Sequence, residues 1–393
     1  MRILLCLVFV SLHYLAVQSQ SLADTSHQMD AWYQEAQVLI EKYQFNEALK
    51  PLTSCYHYDN KNIDYLSKIA YCHQQLGRYT DAKIYYNEVL KWDSLHVRSI
   101  MALANISNRE ANYGKALDYY QQLLAVDSTN SYYFKQAAFT ALRKNDVLQA
   151  VRYFLAAHQL NHEDLEVLDQ LSDIYIALRD LESAERMVNK GLFLDQKNIK
   201  LLYNKARIHQ KRKEYAEVVK AVNQVMVQGD TADYYQTILG VAYIKLDSLD
   251  QGIFHLEKIV GRDKADDRVF HYLGTAYFQK EDYKKSEANY LLAIEAGVSP
   301  QMPSYHGDLG LLYDKQKQLR KAIKHYKQAL YYDRTPEYLF HLAHSSDQYY
   351  KDKKIGFQLY KEYLASGHKK YRKFTTQRVE ALKEYLHFQT GSQ

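Results

Sequence analysis

The sequence is poor in the residues that cross-link, bend or interrupt a chain: its 393 residues include 3 cysteines, 4 prolines and 14 glycines. So few glycines and prolines argue against a β-rich fold with many tight turns and against disordered linkers. Beyond the first twenty residues the cysteines are Cys55 and Cys72, so no disulfide framework exists and packing must hold the fold. We expect two buried free thiols, with a disulfide between them as the alternative.

Motifs of catalysis and of cofactor binding are also missing. The sequence contains no glycine-rich phosphate loop, no Gly-x-Ser-x-Gly and no His-Glu-x-x-His. His158 and His162 are four residues apart, as many metal ligands on helices are, but no third ligand accompanies them. Asp169 and Asp173 lie one helical turn apart, yet no neighbouring residue would tune such a carboxylate pair for an enzyme. We therefore predict no catalysis, no cofactor and no metal site.

The net charge of the whole chain is only +5, but it is unevenly distributed. From residue 301 onward there are 17 Lys and Arg against 9 Asp and Glu, a net charge of +8. A basic end is typical of a protein with an acidic partner or surface, and a solvated helix face is the simpler alternative. Nucleic acid is not expected as a partner, because acidic residues are mixed with the basic ones and no nucleic-acid-binding motif is present.

The first twenty residues differ from the rest of the chain. Residues 3–17 form a mostly apolar run, too short and too polar for a membrane span. The small residue Ser19 suits a cleavage site, so we predict a secretory signal peptide at 1–19 and a short lead at 20–28. Cys6 lies too early for a lipoprotein signal. The protein is therefore expected to be exported, to the periplasm or cell envelope or into the medium, with no integral membrane span after cleavage.

Small residues recur along the chain at a fixed step of 34. One series comprises Ala48, Ala82, Ala116, Ala150, Ala184, Val218, Gly252 and Ser286, with Ala322 following after 36. A second series, twelve places earlier, comprises Ala36, Ala70, Ala104, Ala138, Ser172, Ala206, Gly240, Gly274 and Gly310. Two phased series of this length predict a repeated structural unit.

Each period carries two helical segments. In the first period, apolar residues occur at three- and four-residue spacings over 30–43 and again over 45–56, as one buried helix face requires. Gly77 lies in the turn of the second period, where a left-handed residue is needed. Asp93 and Asp127 end two periods and are expected to accept hydrogen bonds from the N–H groups that begin the next helix.

The 38 tyrosines have a structural explanation in this pattern. Small residues at the crossing would let two helices approach closely, and large rings would then fill the flanks. The rings expected inside the second helices are Tyr86, Tyr120, Phe154, Tyr290 and Tyr326.

A 34-residue helix–turn–helix with this spacing of small and aromatic residues resembles the tetratricopeptide repeat. Two copies match the family's sequence pattern well: the first, through residues 31–33 and 43–48, and the eighth, through residues 273–277 and 282–283. The resemblance implies an all-α fold, a right-handed α-solenoid of about ten repeats with a C-terminal capping helix.

We place the repeat array at 29–366 and a basic linker with the capping helix at 367–393. The individual copies are placed at 29–62, 63–96, 97–130, 131–164, 165–198, 199–232, 233–266, 267–300 and 303–336, with a degenerate tenth at 337–366. In the tenth copy Gly356 takes the crossing position, and Asp164 is expected to cap the fifth. The capping helix itself is expected over about 376–388.

The resemblance also implies a concave groove lined by the first helix of each repeat, where partners lie as extended peptides or helices. The residues expected to point into this groove are Tyr33, Gln37, Tyr71, Gln74, Asn105, Arg109, Phe139, Arg143, Asp173, Arg207, Gln210, Lys211, Ile244, His271 and Phe278. Tyr71 and Phe139 would be aromatic anchors, and packing inside the stack is the alternative for Tyr71. The patch of Arg207, Gln210 and Lys211 would grip a carboxylate or carbonyl, with plain solvation as its alternative.

Some members of the family hold a partner's C-terminal carboxylate with lysines and asparagines on successive first helices. Asn105 fits one such position, but Met101 and Gln136 stand where a lysine and an asparagine are needed, so we do not expect that activity.

The sequence thus predicts a non-catalytic scaffold for protein–protein interaction, which binds a protein or peptide in the groove of a tetratricopeptide superhelix in the periplasm or cell envelope. The alternative is a regulatory or sensory subunit of a larger envelope complex, held through its convex face or its basic C-terminal end. Triplets at 93–95, 127–129, 230–232 and 247–249 also resemble a bacterial periplasmic O-glycosylation acceptor, although turns alone favour Asp-Ser there.

Overall fold

The computed structural model describes residues 27–229, 232–262, 265–297 and 299–390. Over these residues the chain forms twenty-one helices and no strand, so the predicted all-α fold is confirmed. The predicted signal peptide at 1–19 and most of the lead at 20–28 lie outside the described residues. In the described part, no helix is long and apolar enough to cross a membrane.

The chain divides into two compact units, and the second begins at Asp195. The first unit contains α1 (27–41), α2 (Phe45–Tyr58), α3 (Ile63–Gln75), α4 (Tyr79–Trp92), α5 (Val97–Arg109), α6 (Tyr113–Val126), α7 (Ser131–Arg143), α8 (Val147–Leu160), α9 (Leu165–Ala177) and α10 (Leu181–Leu194). The second unit contains α11 (Ile199–Arg212), α12 (Tyr215–Val227), α13 (Asp233–Lys245), α14 (Leu249–Val260), α15 (Asp267–Gln279), α16 (Tyr283–Glu295), α17 (Met302–Lys315), α18 (Leu319–Tyr332), α19 (Pro336–Tyr349), α20 (Lys353–Ala365) and α21 (Arg372–Thr390). Each odd-numbered helix from α3 to α19 is the first helix of a pair and packs against the even-numbered second helix that follows it, and Ala36 of α1 shares a buried cluster with Ala48 of α2.

Small residues lie where the two helices of a pair cross, as the sequence predicts. Ala36 and Ala48 of the first pair are fully buried. In a later pair, a Cβ added to Gly252 would lie only 2.9 Å from the backbone oxygen of Gly240, so the two backbones are nearly in contact. Rings such as Tyr120 are fully buried beside these crossings. The predicted stacking of helix–turn–helix pairs is therefore confirmed.

The turn within each of the first nine pairs contains one residue with a left-handed backbone. At Gly77 the φ angle is +74°, as expected for a helix that ends in glycine. The other eight turns place side-chain-bearing residues there, with φ between 57° and 65°: Tyr43, Ala111, Asn145, Arg179, Lys213, Asp247, Glu281 and Lys317. Because an L residue pays about 1–2 kcal/mol for this conformation, helix packing must impose it on the chain.

The caps between pairs differ in part from the prediction. Asp93 and Asp127 each accept a hydrogen bond from the N–H group two residues later, at 3.1 and 2.9 Å, so they stabilise the turn and do not cap the helix. The caps of α5 and α7 are His96 and Asn130, three residues further on. Asp164 does cap α9, as predicted, because its side chain accepts bonds from two N–H groups of the first turn.

The last helix is longer than predicted, since it begins at Arg372 and not near residue 376. It packs on α20 and buries Leu382 almost completely. Gly356 occupies the crossing position of the tenth pair, as predicted, and a Cβ there would lie 2.8 Å from the Cβ of Asp347. Cys55 and Cys72 are buried free thiols, which confirms that expectation.

Candidate functional site

Three successive first helices of the first unit form a cavity of about 600 Å³ on their shared face. We call it the polar groove, and its lining residues are Gln74, Gln75, Tyr79, Asn105, Ile106, Asn108, Arg109, Gln136 and Arg143. Most of them carry an amide or a guanidinium. A groove of this composition can hydrogen-bond to a ligand along its length but offers little apolar surface.

The repeat itself generates this arrangement. Gln75, Arg109 and Arg143 are 34 residues apart and form one row across α3, α5 and α7. Gln74 and Asn108 form a second row at the same spacing. Equivalent positions in stacked repeats lie on the same face, so a row presents similar groups at regular intervals. An extended peptide also presents its main-chain groups at regular intervals.

Buried tyrosines from the second helices hold two of the groove amides in place. The Tyr86 hydroxyl donates to Gln74 Oε1 at 2.8 Å, and the Tyr120 hydroxyl donates to Asn105 Oδ1 at 3.1 Å. Burial raises the pKa of Tyr120 to about 12, so its hydroxyl remains a proton donor at neutral pH. These bonds fix the orientation of both amides and leave the NH₂ groups of Gln74 and Asn105 to donate to a ligand.

Asn108 is the least satisfied residue of the polar groove. Its Nδ2 donates to Thr140 Oγ1 at 2.9 Å. Its Oδ1 is buried and has no hydrogen-bond partner among the described residues. A buried acceptor left without a partner costs about 1–3 kcal/mol, so a ligand N–H group bound here would recover stability.

Two arginines supply the positive charge of the polar groove. Arg109 and Arg143 are exposed, and neither has an ion-pair partner within the part of the chain that is described. The Arg109 guanidinium lies over the Tyr79 ring, 4.9 Å from its centroid, which restricts its position. Both groups are therefore available for a carboxylate.

The structure brings four of the predicted groove residues together in this cavity, namely Gln74, Asn105, Arg109 and Arg143. The other five lining residues, Gln75, Tyr79, Ile106, Asn108 and Gln136, were not predicted from the sequence. The signal for Asn108 was present, because it stands 34 residues after Gln74. Whether these residues bind a ligand stays a prediction.

The predicted aromatic residues of the first unit serve mainly in packing. Tyr33 lies against Tyr65 of the next first helix, with ring centroids 5.3 Å apart. Phe139 is half-buried and meets Phe154 edge-on at 5.2 Å. Tyr71 remains 38% exposed, so it is the predicted anchor that stays accessible.

Other predicted positions are Gln37 and Asp173, which are both half-buried, and Arg207. Arg207 donates to Asn204 Oδ1 at 2.8 Å and lies over a tyrosine ring, so it is held against its own helix. Gln210 and Lys211 next to it are exposed. The basic patch is therefore smaller than predicted.

One predicted groove residue of the second unit requires correction, and another packs on the next repeat. Ile244 is 4% exposed and not in a groove, because the missing side chain of Gly252 leaves room that Ile244 fills: a Cβ there would lie 2.6 Å from Ile244 Cγ1. His271 is half-buried, and its Nε2 lies 2.8 Å from Asp308 Oδ2. Its ring also packs 4.8 Å from that of Tyr305, so His271 contacts the next first helix α17.

Phe278 does line a cavity, a second one of about 630 Å³ on the first helices α15, α17 and α19. We call it the aromatic groove, and its lining residues are Phe278, Leu311, Asp314, Lys315, Lys317, Phe340, His341, His344 and Gln348. Asp314 Oδ1 accepts a hydrogen bond from Ser345 at 3.1 Å, and the Tyr360 hydroxyl lies 3.2 Å from His344 Nδ1. Apolar rings beside a carboxylate suit an apolar or basic side chain.

No cluster of three or more potential metal ligands occurs among the described residues. The rings of His158 and His162 are 5.0 Å apart, and His158 Nε2 lies 3.2 Å from Lys190 Nζ. A cation at that distance opposes a metal ion at the same nitrogen.

A family model described as tetratricopeptide repeat matches residues 63–94 and 303–336. The chain is also similar to the protein described as uncharacterized protein ycf37 of Cyanophora paradoxa, with 29% identity over 86 residues, 21% of this chain and 50% of that protein. The chain thus spans about half the length of that relative.

Solved structures with a similar arrangement include a tetratricopeptide repeat protein from Parabacteroides merdae, with a TM-score of 0.46 and 16% identity, over 64% of this chain and 98% of that one. Another is the Cut9-Hcn1 hetero-tetramer of the APC/C, with a TM-score of 0.49 and 14% identity, over 89% of this chain and 76% of that one. The two segments that the family model matches coincide with the pairs α3–α4 and α17–α18. Within these two segments the chain is similar to the tetratricopeptide repeat, and the described residues form an all-α array of consecutive helix–turn–helix pairs.

Proposed function

We propose that this protein is a non-catalytic scaffold that binds an extended segment of a partner protein in the polar groove. One observation carries the proposal: amides and arginines line three successive first helices, and Asn108 Oδ1 is buried there with no hydrogen-bond partner among the described residues. Side-chain amides both donate and accept, so they can pair with the main chain of an extended segment.

The chemistry of the groove also indicates which segment fits. Arg109 and Arg143 occupy equivalent positions on successive repeats, and none of the described residues that line the polar groove is acidic. Guanidinium groups bind carboxylates through paired hydrogen bonds. The ligand is therefore an extended segment with acidic side chains at intervals that match the repeat.

Export belongs to the proposal and is supported by the amino-terminal sequence. An apolar run at 3–17 ends near the small residue Ser19, as in secretory signals. We propose that the mature chain begins at Gln20 and works in the periplasm or cell envelope. Mass spectrometry of the protein from its host tests this, and an intact amino terminus in the mature protein would refute export by this signal.

A second candidate is a regulatory or sensory subunit of a larger envelope complex, held through its convex face or basic C-terminal end. The net charge of +8 beyond residue 300 favours it. This alternative predicts that substitutions in the polar groove have no effect, whereas loss of the basic residues within 369–373 abolishes assembly.

Site-specific photo-crosslinking in the native host distinguishes the two. A photoreactive residue at Asn105 or Gln136 probes the polar groove, and the exposed Gln122 on the second helix α6 is the control. A partner captured from the groove positions and absent from Gln122 supports the proposal. Capture from Gln122 alone, or from neither, removes the groove from the mechanism.

Binding to the captured partner is then measured with charge variants. Arg143→Glu should weaken binding at least about tenfold, because it replaces a guanidinium–carboxylate contact with repulsion. Arg152→Glu, at an exposed position on α8, makes the same charge change outside the groove and should leave binding unaltered.

A further inference from the structure

The second-helix side of the second unit contains a pocket of about 440 Å³ that the proposed function does not use. We call it the convex pocket, and its lining residues are Lys327, Leu330, Tyr331, Arg334, Leu339, Leu342, Leu359, Glu362 and Ser366. The four leucines make up its wall, and they come from α18, α19 and α20. The polar groups lie around them.

One wall residue of the convex pocket, Leu359, stands at a position that carries a tyrosine in three earlier repeats. Leu359 stands 34 residues after His325, and the same position carries a ring at Tyr85, Tyr119 and Tyr153 of earlier repeats. In those repeats the ring packs between helices, as where the Tyr153 ring lies 6.3 Å from that of Phe134. Leu359 is smaller than these rings and gives the pocket an apolar wall there, and Met187, Ala221 and Asn289 hold the same position in other repeats without a ring.

Leu339 is a second wall residue of the convex pocket. It stands 34 residues after Tyr305, which is buried and whose hydroxyl donates to Asp267 Oδ2 at 2.8 Å. The position of Leu339 is a tyrosine at Tyr65, Tyr133, Tyr235 and Tyr305 and aliphatic at Val167, Leu201 and Val269. The convex pocket has the size and the apolar wall to accept a ring supplied from outside.

A basic stripe runs along α18 beside the convex pocket. The stripe consists of residues at three- and four-residue spacings, which share one face of α18: Arg320, Lys324, Lys327 and Tyr331. Arg334 extends the stripe just beyond the end of the helix. All five are exposed, Tyr331 to 81%.

Most of the charge of the stripe is not neutralised. Arg334 pairs with Glu362 at 3.3 Å. Arg320, Lys324 and Lys327 have no ion-pair partner within the described ranges of the chain. An apolar pocket with uncompensated cations at its edge is complementary to an apolar group that lies next to negative charge.

We propose that the basic stripe and the convex pocket together bind an acidic segment of another protein, which inserts one aromatic side chain into the pocket. The ring takes the place that aromatic residues occupy in other repeats, and flanking carboxylates meet Lys324 and Lys327. A buried aromatic anchor within a charged rim is the usual energetic centre of an interface. An anionic membrane would use the charge but has no single side chain to fill a pocket.

Fluorescence anisotropy with defined peptides tests the proposal on the full chain. One labelled peptide carries a phenylalanine between runs of glutamate, and its partner carries alanine in that place. We expect the phenylalanine peptide to bind at least about tenfold more tightly, and both to weaken as salt increases. Equal affinity of the two peptides, or binding of neither, overturns the proposal.

Two variants locate the binding surface. Leu359→Tyr restores the ring that other repeats carry, so it should fill the pocket and remove the preference for phenylalanine. Lys327→Glu changes only the exposed rim, and it should weaken both peptides about tenfold. Lys284→Glu, exposed on α16, is the matched charge control and should have no effect.

Vesicles with and without an anionic lipid separate protein from membrane recognition. We expect Leu359→Tyr to leave vesicle binding unaltered while it removes the phenylalanine preference. If the wild-type chain binds anionic vesicles and neither peptide, the surface recognises a membrane and the proposal fails. A far-ultraviolet circular dichroism melt shows whether each variant is folded. If Leu359→Tyr does not fold, Lys327→Glu still tests the proposal.

Discussion

The Arg378 guanidinium on α21 holds the buried carboxylate of Asp347 on α19, donating from Nε to Oδ2 at 2.7 Å and from Nη2 to Oδ1 at 3.2 Å. The Asp347 side chain is 6% exposed, and Lys353 Nζ lies 3.6 Å from its Oδ1. The capping helix is thus joined to the last repeat by a charged contact as well as by apolar burial. A solenoid end needs such a cover, because its last pair would otherwise expose an apolar face.

Arg378→Ala should loosen this cover. The change leaves Asp347 with only Lys353 as a cationic partner, and we expect a loss of about 1–3 kcal/mol in unfolding free energy. Hydrogen exchange should accelerate most at the amides of α21. Lys383→Ala, at an exposed position of the same helix, should leave exchange unchanged. If the amides of α21 exchange as slowly in the Arg378 variant as in the wild type, apolar contacts alone hold the helix.

The left-handed turn position offers a paired test in the first unit. Gly77→Ala should destabilise the chain by about 1 kcal/mol, because alanine must adopt the φ of +74°. Ala111 occupies the equivalent position in the next repeat, with a φ of 57°. The substitution Ala111→Gly removes only the Cβ methyl group and so relieves this strain. That variant should gain up to about 1 kcal/mol, as measured by urea denaturation. The same sign for both changes would contradict the explanation.

These turns show how far the sequence predicts the fold and where it stops. The period of 34 and the small residues at Ala48 and Ala36 were enough for the helix pairs, since helix geometry and close crossing leave a regular trace. Apart from Gly77, left-handed residues such as Tyr43 and Lys213 could not be predicted, because neither residue type prefers this conformation. There the packing of two helices outweighs local preference, and only the three-dimensional structure reveals it.

The candidate sites were predictable only to the extent that the repeat continues unchanged. Asn105 and Arg143 lie in the polar groove because their repeats follow the common pattern. Ile244 does not face a groove, since the glycine pair at its helix crossing leaves room that its side chain fills. The convex pocket could not be expected from periodicity, because the positions of its wall residues Leu339 and Leu359 vary from repeat to repeat.

The crossing of α13 and α14 gives a third prediction. Gly252→Ala should destabilise the second unit by about 2–3 kcal/mol, because the new Cβ would lie 2.9 Å from the backbone oxygen of Gly240, which cannot move independently. Thermal unfolding measures this loss. Gly261→Ala is the control, since its Cβ would meet no atom closer than 3.5 Å. Equal effects of the two substitutions would mean that the helices can separate at little cost.

Two histidines of the second unit should make its stability depend on pH. The Nδ1 atoms of His306 and His325 are 3.1 Å apart, so one ring donates and the other accepts. Burial, His306 and the nearby Lys324 and Lys321 lower the pKa of His325 to about 4, while Glu287 acts weakly in the opposite direction. The unfolded value is about 6.5, so between these values the unfolded chain binds more protons than the folded one. Stability should therefore be fully present above pH 6.5 and fall as the pH approaches 4.

His325→Asn separates this contribution from the rest of the titration. Asparagine keeps an acceptor for His306 but does not titrate, and Asn289 already occupies the equivalent position in the preceding repeat. We expect the drop in unfolding temperature between pH 7 and pH 5 to shrink clearly in this variant. His57→Asn, on the exposed end of α2, should leave the drop as it is in the wild type. If the His325 variant loses as much stability on acidification as the wild type, the proton that destabilises the second unit binds elsewhere.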